Sequence, residues 1–237
     1  VGLCQRLTDH IANPPADAPR ERLWRVRAQQ VVLAQGAIEK PLVFDGNDRP
    51  GVMLSGAAQT FLHRFGVKVG ERAVVVTAHD SAWHSAFDLA EAGTKVAAIV
   101  DLRPDVSLAL LNRANALGIE ALTGHTVTTT SGRLRVSSVR VGKVSGSRVT
   151  ATRKIPCDTL LMCGGWTPSL HLFSHTKGSL SWDDAAGAFL PDRKTEECQI
   201  AGAGRGLWGV AVALEDGARA GAAAATAAGR KTGAGTF

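Results

Sequence analysis

The sequence predicts an α/β protein of Rossmann-like architecture. Two observations carry this prediction. One is a strand–helix–strand pattern at residues 72–101; the other is three apolar strands that each end in a glycine-rich corner, at residues 31–37, 158–169 and 198–209. Short apolar runs around a helical repeat are typical of buried parallel strands joined by a right-handed crossover. We therefore expect parallel sheets with helices packed against them.

Length and composition narrow the class of protein. The chain has 237 residues, 45% hydrophobic residues and 26 glycines, which is enough for one large domain or two small ones and excludes a disordered or collagen-like chain. No apolar stretch reaches the roughly 18 residues that a membrane-spanning helix needs. Residues 1–10 also lack the basic-then-apolar order of a signal peptide. We therefore expect a cytoplasmic protein with no membrane partner.

The net charge of +6 raises the question of nucleic-acid binding. Seven basic residues and no acidic one lie between Arg133 and Lys154, but they alternate with Val, Ser and Thr. This alternation is typical of paired strands with a solvated face, and no aromatic residue is interleaved for base stacking. We predict a solvated hairpin, or a face that docks on an acidic partner, and no nucleic-acid partner.

The strand–helix–strand pattern at residues 72–101 is the clearest local signal. Residues 74–76 form the first apolar run, small apolar residues then recur at helical spacing, Gly93 suits the helix end, and residues 96–100 form the second run. Asp101 closes the second strand, at the position where a Rossmann domain can hold ribose hydroxyls.

The turn between this first strand and its helix lacks the glycines that hold a pyrophosphate. A dinucleotide fingerprint places glycine where the backbone approaches the phosphates, whereas residues 77–82 read Thr-Ala-His-Asp-Ser-Ala. His79 and Asp80 would put side chains, one of them anionic, where phosphate oxygens should lie. We therefore predict that the second domain binds no nucleotide and that Asp101 is a strand-end acid rather than a ribose ligand.

A turn and a helix are predicted upstream of this pattern. Residues 48–51 read Asp-Arg-Pro-Gly; if the turn starts at Arg49, Gly51 takes position i+2 of a type II turn, where a positive φ is required. A helix at residues 55–65 should follow, and Ser55 is its expected N-cap.

Catalytic and metal-binding groups are hard to assign. His171 and His175 could share a helix face, but no HExxH glutamate or third ligand accompanies them. Ser55 lies in no G-x-S-x-G elbow. The four cysteines share no CxxC spacing, and Cys157 and Cys163 are too far apart along one strand for a disulfide. We predict no catalytic residue, no metal site, and free thiols packed as small apolar groups.

Three stretches resemble the α subunit of heterotetrameric sarcosine oxidase. They are VVLAQGAIEKPLVFDGNDRPGVML at residues 31–54, DTLLMCGGWTPSLHLF at 158–173 and AGAGRGLWGVAVALEDGARAG at 201–221. The similarity runs over nearly the whole chain, and the order of its motifs also resembles that of two-domain flavoprotein disulfide reductases. The resemblance implies two Rossmann-like domains of the glutathione/thioredoxin reductase type, the first of them incomplete. It also implies a chain truncated at both ends, with the family's first glycine fingerprint ahead of it and a folate-binding region after it.

The same resemblance implies the domain boundaries. Residues 1–44 would form part of the first dinucleotide-binding domain, and residues 45–69 a connecting turn and helix. Residues 70–166 would form the second Rossmann-like domain, and residues 167–237 would return to the first domain with its C-terminal helix.

The resemblance further implies a function, a set of cofactors and a set of partners. The intact enzyme would oxidatively demethylate sarcosine to glycine together with β, γ and δ subunits. FAD would lie on β, FMN between α and β, and NAD in α, while tetrahydrofolate would take the one-carbon unit. This chain would be the dinucleotide-binding core and would be inactive in isolation. Two alternatives stay open: the α subunit of a related dehydrogenase for hydroxyproline or an opine, and a non-enzymatic Rossmann scaffold.

The nucleotide site implied by the resemblance lies at two corners. Its candidate residues are Ala34, Gln35 and Gly36 beside the adenosine half, and Gly202, Ala203, Gly204 and Gly206 as close-approach backbone. In flavin-binding relatives an acid follows the strand glycine and receives ribitol hydroxyls, whereas here Ala203 follows, which fits NAD better than FAD. Gln35 also departs from the threonine usual at its corner. The alternative is that all these glycines serve sheet-corner packing alone.

Overall fold

The computed structural model describes residues 1–194 and 196–231. Residues 232–237, the end of the segment expected to return to the first domain, therefore lie outside the described part of the chain. The strands are β1 (Gly2–Arg6), β2 (Glu21–Arg25), β3 (Val31–Leu33), β4 (Ala37–Glu39), β5 (Val52–Leu54), β6 (Arg72–Thr77), β7 (Lys95–Asp101), β8 (Glu120–Thr123), β9 (His125–Ser131), β10 (Ser138–Ser145), β11 (Arg148–Pro156), β12 (Thr159–Cys163), β13 (Trp166–Pro168), β14 (Leu180–Asp183), β15 (Ala188–Pro191) and β16 (Cys198–Ile200). The helices are α1 (Ser55–Phe65), α2 (Ser81–Glu91), α3 (Leu108–Ala116), α4 (His171–His175) and α5 (Val210–Ala227).

The chain divides into two compact units. The first unit consists of Val1–Ala37 and Pro168–Phe237, and the second of Ile38–Thr167. The two boundaries fall within β4 and β13. No helix within residues 1–194 and 196–231 is both long and apolar enough to cross a membrane.

A five-stranded parallel sheet, ordered β5-β12-β6-β7-β8, forms the centre of the second unit. Because successive side chains of a strand point to opposite faces, Val75 packs with α1, α2 and α3 on one side of the sheet. Val74 and Val76 pack on the other side against the antiparallel sheet β11-β10-β9. This burial on both faces explains the continuous apolar runs of the sequence. The order β6, α2, β7, with the two strands paired in parallel, confirms the predicted strand–helix–strand pattern.

The basic segment that follows forms the predicted hairpin. Strands β10 and β11 pair antiparallel from Ser138↔Pro156 to Ser145↔Arg148. In β11 every residue except Ile155 is exposed, so its basic side chains lie in solvent. The only ion pair that any of the seven basic residues makes within the described chain joins Arg153 to Glu120.

The predicted turn that starts at Arg49 is confirmed, but the predicted cap of α1 is wrong. The Val52 N–H donates to the Arg49 carbonyl at 3.0 Å, and Gly51 has φ +92°. Helix α1 begins at Ser55, yet Ser55 is its first helical residue and not its N-cap. The physical reason is the buried carboxylate of Glu39, which accepts hydrogen bonds from the Ser55 hydroxyl at 2.6 Å and from the Gly56 N–H at 2.9 Å. A long-range acid thus takes the capping role.

The described part of the first unit contains three pairs of strands. The hairpins β1-β2 and β14-β15 are antiparallel, whereas β3 and β16 are parallel neighbours. Leu33, Cys198 and Ile200 of these parallel strands pack with Leu170 and Phe173 in a small core. Helix α5 packs against the same two strands.

Candidate functional site

The two predicted corners lie side by side in the first unit. Strands β3 and β16 run parallel with Val31 opposite Cys198 and Leu33 opposite Ile200, and the Ala201 N–H extends the ladder by donating to the Leu33 carbonyl at 2.9 Å. Residues 34–36 and 202–206 therefore follow neighbouring strands at the same edge of the sheet. Carboxyl ends of parallel strands are where nucleotides bind in open α/β sheets. All seven candidate residues are brought to this edge.

The first corner is held by hydrogen bonds of its own. The side-chain amide of Gln35 donates to the Ser169 carbonyl, and the Ser169 N–H donates to the Gly36 carbonyl at 2.9 Å. Gln35 is thus tied into the backbone instead of pointing freely at a ligand. Gly36 has φ +70°, and an added Cβ there would meet no atom within 4 Å. The conformation requires glycine, and the space beside it can admit a ligand.

Different structural requirements explain the glycines of the second corner. Gly202 has φ +67° and begins a 3₁₀ turn, Gly202–Arg205; its added Cβ would make only an ordinary 3.7 Å contact with Ala213, in the first turn of α5. At Gly204 an added Cβ would lie 2.7 Å from Ile200, and at Gly206 2.9 Å from Leu190. Internal packing accounts for Gly204 and Gly206, whereas an added Cβ would meet open space at Gly36 and would rest against α5 at Gly202.

A buried aspartate that sequence reasoning missed fastens the second corner to α5. Asp216 is 3% exposed. Its Oδ2 accepts the Gly202 N–H at 2.8 Å, and its Oδ1 accepts from Arg205 at 2.6 Å and from Arg219. These donors lower the pKa of the Asp216 carboxyl against the opposing effect of burial. One signal could have revealed it: Asp216, Ala220 and Ala224 recur every four residues and are the buried face of α5.

The corresponding edge of the second unit is closed by its own side chains. Asp101 is fully buried and accepts four hydrogen bonds, one from Trp83 Nε1 at 2.8 Å and three from Arg103. Arg103 also donates to Asp80 at 2.7 Å, so it bridges the turn before α2 to the end of β7. Asp101 is therefore a strand-end acid whose bonding capacity is used within the protein.

Hydrogen bonds among its own residues also occupy the turn before α2. His79 Nδ1 accepts the Ser81 N–H at 3.2 Å, and the His79 N–H donates to Thr77 Oγ1 at 2.9 Å. Burial lowers the pKa of His79, which keeps its imidazole neutral. Burial also raises the pKa of the neighbouring Cys163 thiol, which is 0% exposed. A protonated, inaccessible thiol is not a nucleophile.

The histidine pair and the cysteines considered in the sequence analysis lie outside the two corners. His171 and His175 lie in the short helix α4, and no group of three or more His, Cys, Asp or Glu side chains in the described chain could hold a metal ion. All four cysteines are free thiols; three are buried as predicted, but Cys4 is exposed.

Comparison with known proteins confirms the resemblance and the fold. The chain is 44% identical over 231 residues to the alpha subunit of sarcosine oxidase from Corynebacterium sp. strain P-1, which covers 95% of this chain and 24% of that protein. It is 30% identical over 227 residues to an opine oxidase subunit of Agrobacterium tumefaciens strain Ach5, covering 84% of this chain and 44% of that protein. Thioredoxin reductase of Lactococcus lactis superposes with a TM-score of 0.65 at 19% identity, over 87% of this chain and 67% of that one. No protein-family profile matches the chain.

Proposed function

From its similarity to a segment that makes up about a quarter of sarcosine oxidase α subunits, we propose that this chain is the dinucleotide-binding core of such a subunit. The complete protein would be an oxidoreductase that, within its complex, oxidatively demethylates sarcosine to glycine. The observation that carries the proposal is the 44% identity over 231 residues, which includes both glycine corners and the whole second unit.

We propose that the first-unit corner holds NAD. Three observations support this site: the left-handed glycines Gly36 and Gly202 with open space beside Gly36, the position at the carboxyl ends of β3 and β16, and the absence of an acid at Ala203 that would receive flavin ribitol hydroxyls. The first turn of α5 lies over Gly202, and a helix N-terminus favours phosphate. In the second unit, by contrast, Asp80, Arg103 and Asp101 occupy the equivalent edge, so we propose that it binds no nucleotide.

The remaining cofactors and partners are proposed to meet this chain only in the complete assembly. FAD and FMN would supply the redox chemistry, and tetrahydrofolate would accept the one-carbon unit, in association with β, γ and δ subunits. Within this chain, residues of the first-unit corner would bind and orient NAD, and residues of the second unit would pack its core. The Cys163 thiol is inaccessible to solvent, and we assign no reacting group to this chain.

A second candidate is the α subunit of a related opine or imino-acid dehydrogenase. The 30% identity to an opine oxidase subunit favours it, and that protein is also matched over a larger share of its own length than the sarcosine oxidase subunits are. The lower identity makes it the weaker candidate.

Substrate turnover by the complete complex tests these alternatives. The full-length gene product, co-expressed with its partner subunits, should consume oxygen with sarcosine and not with octopine or hydroxyproline. Turnover with an opine or an imino acid alone would select the second candidate. A complex without turnover on any of these amines, and without a thermal shift from NAD, would leave the non-enzymatic scaffold as the function.

A further inference from the structure

The two arginines that contact the buried Asp216 carboxylate carry more positive charge than this carboxylate neutralises. Arg205 and Arg219 both donate to the same oxygen, Oδ1, while Oδ2 takes a backbone N–H. Two guanidinium charges against one carboxylate leave one positive charge at the corner. Glu215, the neighbouring acid on α5, is exposed to solvent and forms no ion pair with either arginine.

Arg205 is the arginine that remains available to a ligand at the corner. It ends the 3₁₀ turn that Gly202 begins, and its side chain is 42% exposed. Only its Nη1 is engaged within the described residues, although a guanidinium carries five N–H donors in a planar fork that suits phosphate oxygens. Arg219, at 69% exposed, lies one helical turn along α5 from Asp216.

The space beside Arg205 is large enough for an anionic group. A cavity of about 460 Å³ is lined by Arg205, Lys194 and Asp192, together with residues of β16. Asp192 accepts the Ser179 hydroxyl at 2.9 Å, and Lys194 lies 3.6 Å from Glu197. These two neighbours are thus engaged with other partners, whereas the free donors of Arg205 are not.

We propose that Arg205 contacts a phosphate group of the dinucleotide bound at this corner, and that Asp216 is the positioning residue that aims it. The inference rests on the proposed nucleotide site. By accepting the Gly202 N–H and Arg205 Nη1 together, the buried Asp216 carboxylate fixes the backbone turn and the guanidinium in one arrangement. The phosphate would meet a cation whose conformational freedom is already restricted, which lowers the entropic cost of binding.

Calorimetry with ADP and adenosine tests the inference, because the two probes share the nucleoside and differ in the diphosphate. The protein is the full-length α subunit within its complex, in three forms: wild type, Arg205→Gln, and Arg219→Gln as the matched control that removes the other arginine from Asp216. We expect Arg205→Gln to weaken ADP by about tenfold or more and adenosine by less than about twofold. Arg219→Gln should change either affinity by less than about threefold.

A fourth variant and the comparison of the two affinities separate a ligand contact from a structural role. Asp216→Asn keeps an acceptor for the Gly202 N–H but weakens its hold on the arginines, so it should also lower the ratio of ADP to adenosine affinity. Equal loss of both probes in Arg205→Gln, or unchanged ADP affinity, would overturn the inference while leaving the NAD site intact. A wild-type protein that binds neither ADP nor NAD would instead remove the proposed nucleotide site itself.

Discussion

At the scale of single residues, Asp101 shows how the second unit replaces a ligand with protein contacts. Its carboxylate is completely buried, and its hydrogen bonds come from Trp83 and Arg103. A buried carboxylate without such partners would be costly. An aspartate at the end of this strand fits a ribose ligand as well as a strand-end acid. Only the contact with Arg103, two residues later, identifies Asp101 as a strand-end acid.

Replacing Asp101 with alanine should therefore destabilise the second unit strongly. Arg103 and the buried Trp83 N–H would lose their acceptor, and we expect the free energy of unfolding to fall by about 3 kcal/mol or more. Asp80→Ala removes the half-exposed partner of the same arginine and should cost less than about 1 kcal/mol. Equilibrium urea unfolding followed by tryptophan fluorescence measures both, and similar losses in the two variants would contradict the assigned role.

His79 gives the second unit a predictable response to acid. Because burial lowers the pKa of His79 in the folded state, the unfolded chain takes up a proton first as the pH falls below about 6.5. This histidine should therefore reduce stability between neutral pH and about pH 5. His79→Asn keeps an acceptor for the Ser81 N–H and should flatten the pH dependence of the unfolding midpoint. Identical pH profiles for wild type and His79→Asn would refute this.

At the scale of elements, the turn before β5 depends on glycine for two separate reasons. Gly51 has φ +92°, and an added Cβ would lie 2.8 Å from Val136 and 2.9 Å from the Asp158 carbonyl. Its own carbonyl accepts the Leu160 N–H at 2.9 Å, so the turn is fastened to β12. The sequence predicted the turn type from Pro50 and Gly51, but the close contacts come from residues far along the chain.

Gly51→Ala should lower the free energy of unfolding by more than about 2 kcal/mol, since backbone strain and steric overlap add. The control is Gly93→Ala, which has a similar φ of +85° but no atom within 4 Å of an added Cβ; it should cost only the strain, about 1 kcal/mol. Thermal unfolding of the two variants makes the comparison. Equal midpoints would show that the contacts of Gly51 are unimportant.

The boundary of α1 illustrates which local features a sequence can and cannot reveal. The helix spans Ser55–Phe65 as predicted, because its apolar spacing and Gly66 are local signals. The cap was missed because Glu39 lies sixteen residues earlier in the chain, and no local pattern links it to Ser55. For Asp216 a local signal does exist, because its spacing with Ala220 and Ala224 marks the buried face of α5; its partner Gly202, fourteen residues away, is what no local pattern links to it.

At the scale of the whole molecule, the fold was more predictable than the site. Parallel strands buried on both faces leave continuous apolar runs, and motif order then indicated two Rossmann-like domains, which the similarity to thioredoxin reductase confirms. The site depends on which glycines face open space and which are packed. Gly36 and Gly204 look alike in sequence, and only their three-dimensional neighbours distinguish them.

The two units are proposed to divide their tasks, with the dinucleotide bound only at the first. A crystal structure of the complete complex soaked with NAD tests this most directly. We predict density for one dinucleotide at the corner formed by residues 34–36 and 202–206, with a phosphate beside Arg205, and none at residues 77–82. A pyrophosphate bound against Ala78 to Ser81, or no nucleotide at the first-unit corner at saturating NAD, would contradict the account.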